Sequence, residues 1–529
     1  MKTKSFNSIL KIGIGLLVGS VSLSASEAID AKSILDTKCT ACHTGSTSEG
    51  LSRISELRKT PEGWYMSIDR MQKDHGLVLT KEEEQSVIKY LSDTQGLSYE
   101  ESKPYRYILE KTPNYQEDAT VNTSFIEMCA RCHSQARVGL QRRTSDEWYN
   151  LVNFHLGKFP TLEYQALSRD RDWLEKAEKE MVPFLTKKFG NDKAFKLKDI
   201  DYSGEWTLFG HKLADGDYYA TMKVIKIEKD KYKVSLNGEF IDGRPLLATG
   251  VAKVYSGYEF RATLNINGIS YNQVFAINPK TLELSGSMFE TIHPEEYSYV
   301  SGIKNSKKEI SILGISPISV KAGTSQVITI TGNNLDKSIN LSSGVKINKI
   351  IEKTSNKVVL NVTADSKYNS KQIDVKIGSK NFEDKITVYK KIDSLKVFPS
   401  YAIARVGDGG GAMPKQYASF EAVGYLAGDD GKIGTNDDIS LGKVDAKWSV
   451  APFDERAKED EDTKFAGTMD SYSGKFIPSF AGPNPKRRFG TNNAGNLKVI
   501  ATYKDGANTL KADSHMIVTV QKWVNPPIN

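Results

Sequence analysis

Long apolar segments, cysteine and a strong excess of either charge are all scarce in this 529-residue sequence. After residue 26 no stretch reaches the roughly 20 apolar residues that a membrane-spanning helix needs, which favours a soluble or peripheral mature protein. The 72 basic and 65 acidic residues are interspersed and leave a net charge of only +7. This composition gives no support to nucleic-acid binding.

The N-terminal segment is typical of a cleaved export signal. Lysines precede a short apolar run between Ile12 and Leu23 that contains glycine and serine. The small residues Ser24-Ala25-Ser26 follow, as they do at a signal-peptidase site. We therefore predict a signal peptide at residues 1–26 and a mature protein in an exported compartment.

All four cysteines fall in two copies of one short motif, Cys39-Thr40-Ala41-Cys42-His43 and Cys129-Ala130-Arg131-Cys132-His133. This is the c-type haem attachment motif: two thiols one short turn apart reach the vinyl groups of a porphyrin, and the adjacent histidine binds the iron. A single copy is also compatible with a redox motif or half of a zinc site, but two copies that use every cysteine favour haem. We predict two covalently bound haems, with thioether bonds from Cys39, Cys42, Cys129 and Cys132 and iron ligands at His43 and His133.

A repeated segment follows each motif. Residues 58–65 have the sequence Arg-Lys-Thr-Pro-Glu-Gly-Trp-Tyr, and residues 142–149 have the sequence Arg-Arg-Thr-Ser-Asp-Glu-Trp-Tyr. In each copy the threonine and the acidic residues after it predict a helix N-cap and first turn. Trp64 and Trp148 therefore lie early on equivalent helices, where we expect them to pack against the haems.

The same two helices predict the second axial ligands. Ile68 and Val152 lie four residues after the tryptophans, and Met71 and His155 lie seven residues after them. Offsets of four and seven share one helical face, and Met and His are the usual second ligands of haem iron. We therefore predict ligation by Met71 at the first iron and by His155 at the second.

Some nearby side chains are alternatives to these ligands. His75 and Met66 are rivals to Met71 on neighbouring turns, and Met181 is the rival to His155. The other histidines lie far along the chain in strand-like sequence, and we interpret them as structural or exposed: His211, His293 and His515.

Beyond the haem motifs the periodicity changes from helical to β. A closing helix is predicted from Lys81 to Leu91, and from about residue 200 apolar and polar residues alternate. The dipeptide Asn267-Gly268 lies between two strand-like runs, 258–266 and 269–277, and predicts a hairpin. Further along, short strands at regular spacing are typical of immunoglobulin-like sandwiches.

These patterns predict a multidomain protein, with an α-helical dihaem cytochrome c domain followed by three all-β domains. The predicted boundaries are 27–195 for the dihaem domain, 196–306 for an antiparallel β-barrel, 307–391 for an immunoglobulin-like β-sandwich and 392–529 for a second immunoglobulin-like β domain. The β domains show no paired-carboxylate or Ser-His-Asp arrangement, so we predict no catalytic residue there. The Asp429–Asp438 loop has carboxylates but lacks EF-hand spacing; we interpret it as a turn, with calcium binding as the alternative.

Taken together, these segments resemble the α subunit of quinohemoprotein amine dehydrogenase. Besides the two CxxCH motifs, the resemblance is carried by residues 51–64, the helix from Arg70 to Gly76, Asn153-Phe154-His155 and Leu162–Leu167. It is most specific from about residue 36 to residue 185 and rests on domain order after that.

The resemblance implies a four-domain subunit of a periplasmic heterotrimer, with a β-propeller subunit and a small subunit bearing cysteine tryptophylquinone as partners. In that family the quinone oxidises primary amines to aldehydes and ammonia, and the haems pass electrons to an external cupredoxin or cytochrome c. All four cysteines here are committed to haem, so the amine-reacting quinone must be on another chain. The alternatives are a stand-alone dihaem electron carrier and a dihaem peroxidase, which needs an open coordination site for peroxide.

Overall fold

The computed structural model of the protein consists of a helical region, a closed barrel and two further β regions, in chain order. It describes residues 29–112, 115–159, 162, 172–305, 308–409 and 413–521. The predicted signal peptide, residues 1–26, lies outside the described residues. None of the helices within these ranges combines the length and the apolar character needed to cross a membrane.

The helical region contains two halves, each with its own apolar core. Its helices are α1 (Ala31–Thr37), α2 (Pro61–His75), α3 (Lys81–Thr94), α4 (Tyr99–Ser102), α5 (Thr123–Cys129), α6 (Gln135–Gly139), α7 (Ser145–Lys158), α8 (Trp173–Lys176) and α9 (Val182–Phe189). Its short strands are β1 (Gly45–Ser46), β2 (Gly50–Leu51), β3 (Leu57–Lys59) and β4 (Gln141–Arg143).

The repeated segment forms equivalent helices, as the sequence predicts. The Thr60 hydroxyl accepts a hydrogen bond from the Gly63 backbone N–H at the start of α2, and Thr144 accepts one from the N–H of Glu147 at the start of α7. These side chains satisfy backbone donors that the first helical turn leaves without partners. Both N-cap predictions are therefore confirmed.

The two repeat tryptophans are fixed in the same way. The Trp64 indole N–H donates to the carbonyl of Gln95, just after α3, at 3.2 Å, and the Trp148 indole donates to the carbonyl of Phe189, at the end of α9, at 3.3 Å. Both indoles are buried. In each half, a closing helix therefore holds the tryptophan of the repeat in place.

Antiparallel pairing of β3 with β4 joins the two halves, and Arg58 lies opposite Arg142 in the register. Both guanidinium groups bind one carboxylate, that of Glu101, at 2.8 and 3.3 Å. Although burial opposes ionisation, hydrogen bonds and the charges of the two arginines lower the pKa of Glu101 to about 2. The joint between the halves is therefore ionic as well as hydrogen-bonded.

The barrel is a closed eight-stranded antiparallel sheet. Its strands are β5 (Gly204–Lys212), β6 (Gly216–Glu228), β7 (Lys231–Phe240), β8 (Pro245–Tyr255), β9 (Glu259–Ile266), β10 (Ile269–Ile277), β11 (Glu283–Glu290) and β12 (Tyr297–Lys304). Asn267 and Gly268 form the turn between β9 and β10 with φ of 52° and 87°, which confirms the predicted hairpin. Buried side chains that include Trp206, Tyr218 and Phe260 fill the interior.

The next region contains two four-stranded sheets, β13-β15-β18-β17 and β14-β20-β19-β16. The strands are β13 (Ser311–Ser316), β14 (Ser319–Lys321), β15 (Ser325–Asn333), β16 (Ile339–Leu341), β17 (Val345–Lys353), β18 (Lys357–Ala364), β19 (Ser370–Ile377) and β20 (Lys380–Tyr389). Side chains of both sheets, such as Leu360 and Val375, share one core.

The last region contains sheets of three, four and three strands. Its elements are β21 (Ser394–Phe398), β22 (Tyr401–Arg405), β23 (Ala418–Ser419), β24 (Glu421–Leu426), β25 (Ile439–Val444), β26 (Lys447–Pro452), α10 (Glu455–Glu459), α11 (Asp462–Phe465), β27 (Gly467–Met469), β28 (Lys475–Pro478), β29 (Gly495–Asp505) and β30 (Asn508–Thr519). The structure is thus mostly β with an N-terminal helical region, while the immunoglobulin-like description of the last two regions stays a prediction.

An ion cluster connects the barrel to α2. Arg261 on β9 binds Glu62, in the first turn of α2, at 2.7 Å and contacts Glu259 at 3.3 Å. Glu259 is fully buried, and burial, with the nearby charge of Glu62, raises its pKa to about 8 against the opposing charge of Arg261. Near this cluster, the Tyr258 hydroxyl donates to Ser102 at 2.7 Å. The barrel therefore contacts the helical region through buried polar groups.

Replacing Arg261 with methionine should lower the free energy of unfolding by about 3 kcal/mol, because the Glu62 carboxylate would keep its buried position without a cation. Urea denaturation followed by fluorescence and circular dichroism measures the change. Arg244→Met is the matched control, because Arg244 also binds two carboxylates of the barrel but is 50% exposed. The control should lose less than about 1 kcal/mol. Equal losses in the two variants would contradict the prediction.

The raised pKa of Glu259 predicts a pH dependence of stability. The unfolded chain releases this proton near pH 4.5, whereas the folded protein retains it up to about pH 8. The folded state therefore binds more protons between these values, and the free energy of unfolding should fall as pH rises. Glu259→Gln cannot ionise and should be more stable relative to the parent protein at pH 8 than at pH 5, as urea denaturation at both values will show. A stability difference that is the same at both values would argue against this assignment.

Candidate functional site

The first CxxCH motif opens on a cavity of about 980 Å³, here called the first cavity. The sequence-predicted side chains meet there, since its lining includes Cys39, Cys42, His43, Trp64, Ile68, Met71 and His75. The predicted helical face of α2 is thus directed at one space, together with the motif. Its volume is in the range of cofactor pockets.

The second CxxCH motif opens on a cavity of about 560 Å³, the second cavity. Its lining includes Cys129, Cys132, His133, Trp148, Val152 and His155. Each predicted side chain of the second repeat therefore has its equivalent in the first, and each motif has its own cavity.

The motif cysteines are close together because the chain turns tightly between them. In the first motif Cys39–Ala41 form a 3-10 helix, and the His43 N–H donates to the Cys39 carbonyl at 3.0 Å. The four cysteines form no disulfide. Burial raises the pKa of Cys39, and raises that of Cys129 to about 12. Both thiols are therefore protonated at neutral pH.

Three histidines that the sequence predicts as iron ligands are held in place by hydrogen bonds at Nδ1. In the tautomer that protonates this atom, His43 donates to the Ser52 carbonyl at 2.8 Å, His133 to Ser134 at 3.0 Å and His155 to Leu151 at 2.7 Å. Metal-binding histidines commonly use one ring nitrogen in this way and leave the other for the metal. Burial, above all, lowers the pKa of His133 and His155, which favours the neutral ligand form.

The alternative ligands divide between the cavities. Met71 is half-buried, and His75 is exposed at the last residue of α2; both line the first cavity. Met66 lines the second cavity and not the first, so it is separated from the first motif. Met181 also lines the second cavity, where it accompanies His155.

The two cavities adjoin and have part of their lining in common, which we call the shared wall: Lys59, Ser67, Arg70, Arg143, Leu151 and Phe154. Sequence analysis did not identify these residues as part of a site. The signal that would have found two of them is their equivalent position in the repeat, immediately before Thr60 and Thr144.

The donor set of each cavity fits a haem. Each contains two thiols, an imidazole with an anchored Nδ1, and a largely apolar lining that includes a buried tryptophan. A second side chain capable of binding iron lies in the same lining, Met71 or His75 in the first cavity and His155 or Met181 in the second.

The remaining histidines have contacts within the β regions. His211 bonds to Asp217 at 2.6 Å, His293 stacks on Tyr417, and His515 bonds to Asn496. In the Asp429–Asp438 loop the Asp437 carboxylate accepts from the Thr435 hydroxyl at 2.7 Å. Within the described residues no group of three or more histidine, cysteine or acidic side chains is placed to hold a metal ion.

Several solved structures are similar to parts of this chain. A redesigned β-barrel, mFAP1, bound to DFHBI is 15% identical, and the match covers 19% of this chain and 93% of that one with a TM-score of 0.17. Domains 5–6 of the S-layer protein SbsC are 13% identical, with coverage of 40% and 99% and a TM-score of 0.16. No curated protein matches the chain.

Models of one protein family match the chain in four consecutive segments. Residues 29–195 match the haem-binding domain of the quinohemoprotein amine dehydrogenase alpha subunit. Residues 200–304, 309–390 and 395–528 match domains II, III and IV of the same subunit. These matches follow the order of the helical region, the barrel and the last two β regions. The chain therefore belongs to the family of quinohemoprotein amine dehydrogenase alpha subunits, and its helical region is a haem-binding domain.

Proposed function

We propose that the chain is the dihaem c electron-transfer subunit of a periplasmic quinohemoprotein amine dehydrogenase. It receives electrons from a quinone on a partner subunit, where primary amines are oxidatively deaminated. It passes them through two covalently bound haems to an external cupredoxin or cytochrome c. The partners are a β-propeller subunit and a small subunit that carries cysteine tryptophylquinone.

The observation that carries this proposal is the pair of adjoining cavities, each containing a complete CxxCH motif and a second side chain able to bind iron. A single haem would leave one motif without a use. Two adjoining sites with a shared wall suit the transfer of electrons from one centre to the next, and haem supplies the one-electron chemistry.

In this proposal the side chains of each cavity hold and orient one haem. Cys39 and Cys42 form the thioether bonds in the first cavity, and Cys129 and Cys132 form them in the second. The Nε2 atoms of His43 and His133 are the proximal iron ligands, because their Nδ1 atoms already bond to backbone carbonyls. Trp64 and Trp148 form part of the apolar lining.

The second ligands complete the coordination. Met71 takes this role in the first cavity, with His75 as the alternative, and His155 takes it in the second. With these side chains bound, neither iron would offer the free position for peroxide that a dihaem peroxidase needs. A stand-alone carrier is the other alternative, and it predicts that no quinone subunit accompanies the chain.

The ligand sets suggest a direction of electron transfer. A thioether is a weaker donor than imidazole toward ferric iron, so a His/Met haem has a higher reduction potential than a bis-His haem. Electrons should therefore pass from the haem of His133 and His155 to the haem of His43 and Met71, and then leave the protein.

The isolated chain, matured with its haems, should not oxidise any primary amine, because all four cysteines line the haem cavities and none is left to build a quinone. Adding the partner subunits should allow amine to reduce the haems. Absorption spectra recorded with and without the partners, over a panel of primary amines, measure both outcomes. Amine turnover by the isolated chain would contradict this division of labour.

Met71→His should lower the midpoint potential of one haem and leave the other nearly unchanged, because imidazole replaces the thioether at a single iron. The absorption band that sulfur-to-iron ligation produces at the red end of the visible spectrum should disappear. His75→Ala is the matched control in the same cavity and should keep both the band and the potential. If Met71→His retains the band, or if His75→Ala shifts the potential, then Met71 is not the ligand.

A further inference from the structure

The shared wall carries more positive charge than the neighbouring acidic side chains neutralise. Lys59, Arg70 and Arg143 line both cavities, and Arg53 lines the first. The carboxylate that faces them is Glu147, which bonds to Arg53 at 2.8 Å and to Arg143 at 3.4 Å. One carboxylate therefore pairs with two of these four cations and supplies a single negative charge.

Lys59 and Arg143 are equivalent in the repeat but differ in their partners. Each cation lies over the tryptophan of its own half, Lys59 at 5.2 Å from the Trp64 ring and Arg143 at 5.6 Å from the Trp148 ring. Arg143 has Glu147 four residues later, and the equivalent position after Lys59 is Gly63. The first half therefore lacks the carboxylate that neutralises the cation of the second half.

Lys59 is buried, with only 6% of its surface exposed. Its ammonium donates to the Ser67 hydroxyl at 2.6 Å, and within the described residues it forms no ion pair. Burial, followed by the charges of Arg143 and Arg70, holds the pKa of Lys59 well below its ordinary value. A buried lysine without an acidic partner is costly unless a bound anion neutralises it.

Arg70 is the second cation of the shared wall without a close acid. Its guanidinium stacks on the Phe154 ring at 4.8 Å, and among the described side chains it forms no ion pair within 4 Å. The nearby Asp74 already bonds to Lys158 at 2.7 Å. Lys59 and Arg70 together thus form a cationic site between two cavities that fit haem. Haem itself carries propionate carboxylates, which are anions of the kind that such a site binds.

We propose that Lys59, assisted by Arg70, binds a haem propionate at the shared wall and raises the reduction potential of the adjoining haem. This inference rests on the proposed dihaem function. A positive charge beside the haem stabilises the reduced form, because ferrous haem carries one positive charge less than ferric haem and is repelled less. Gly63 at the position equivalent to Glu147 leaves the ammonium available to the propionate.

The first test is Lys59→Gln in the haem-loaded chain, with midpoint potentials measured by spectroelectrochemistry. At a fixed potential the ratio of reduced to oxidised haem should fall about tenfold at one centre, which equals 59 mV for a one-electron couple. Lys73→Gln is the matched control, because Lys73 lies on α2, the helix that carries Arg70, but its side chain is 71% exposed. Lys59→Arg keeps the positive charge and should therefore have a midpoint potential close to that of the parent protein.

A second pair of variants tests the same interaction without removing the lysine. Gly63→Glu places a carboxylate where the second half has Glu147, and Gly63→Gln is its neutral counterpart. A β-carbon at Gly63 would lie 3.1 Å from the β-carbon of Lys59, which is attached to the backbone, so both variants require the same local shift of the two segments. The potential should be lower in Gly63→Glu than in Gly63→Gln, because the new carboxylate competes with the propionate for Lys59.

Haem content separates the two proposals. A chain that carries fewer than two covalent haems by pyridine haemochrome and mass measurement would contradict the dihaem function. With two haems present, unchanged potentials in Lys59→Gln, or equal potentials in the two Gly63 variants, would overturn the role of Lys59. If Lys59→Gln does not fold, the difference in midpoint potential between Gly63→Glu and Gly63→Gln is the test. A parent potential that depends on phosphate concentration, and loses this dependence in Lys59→Gln, would assign the site to a free anion and also overturn the propionate.

Discussion

The antiparallel pairing of Leu57–Lys59 with Gln141–Arg143 is the interaction on which the haem-binding domain depends. The helices α2 and α7 begin directly after these strands, so the pairing sets both helices side by side. Each helix carries a tryptophan and a candidate iron ligand at equivalent positions, and these side chains therefore face adjoining cavities. Backbone hydrogen bonds between residues far apart in the chain thus determine how near the two sites lie.

The same pairing brings cations into the interior. Arg58 and Arg142 lie opposite each other and share Glu101, whereas Lys59 and Arg143 contribute to the lining of both cavities. Charges at such positions are tolerated only when anions neutralise them. The protein supplies Glu101 and Glu147, and in our proposal the cofactor supplies the remaining negative charge. Binding of the cofactor and stability of the domain would then be linked.

The barrel also contributes to the position of α2. Arg261 reaches from β9 to Glu62, which lies in the first turn of the helix that carries Trp64 and Met71. A charge in this first turn also interacts favourably with the helix dipole. The β region next to the haem-binding domain is therefore more than a spacer, because it holds the start of a helix that lines the first cavity.

Features that depend on local contacts could be predicted from the sequence alone. Two thiols and a histidine in CxxCH, the Thr60 and Thr144 caps and the Asn267-Gly268 hairpin each involve residues within one turn or one hairpin, so their spacing is sufficient. The position of Met66 could not be predicted in this way: it lines the second cavity and not the first, because this depends on how α2 is rotated against its neighbours. The position of Lys59 and Arg143 on the shared wall was not predicted either, because it results from the pairing of β3 with β4, two segments far apart in the chain. Long-range packing has no signature in local spacing.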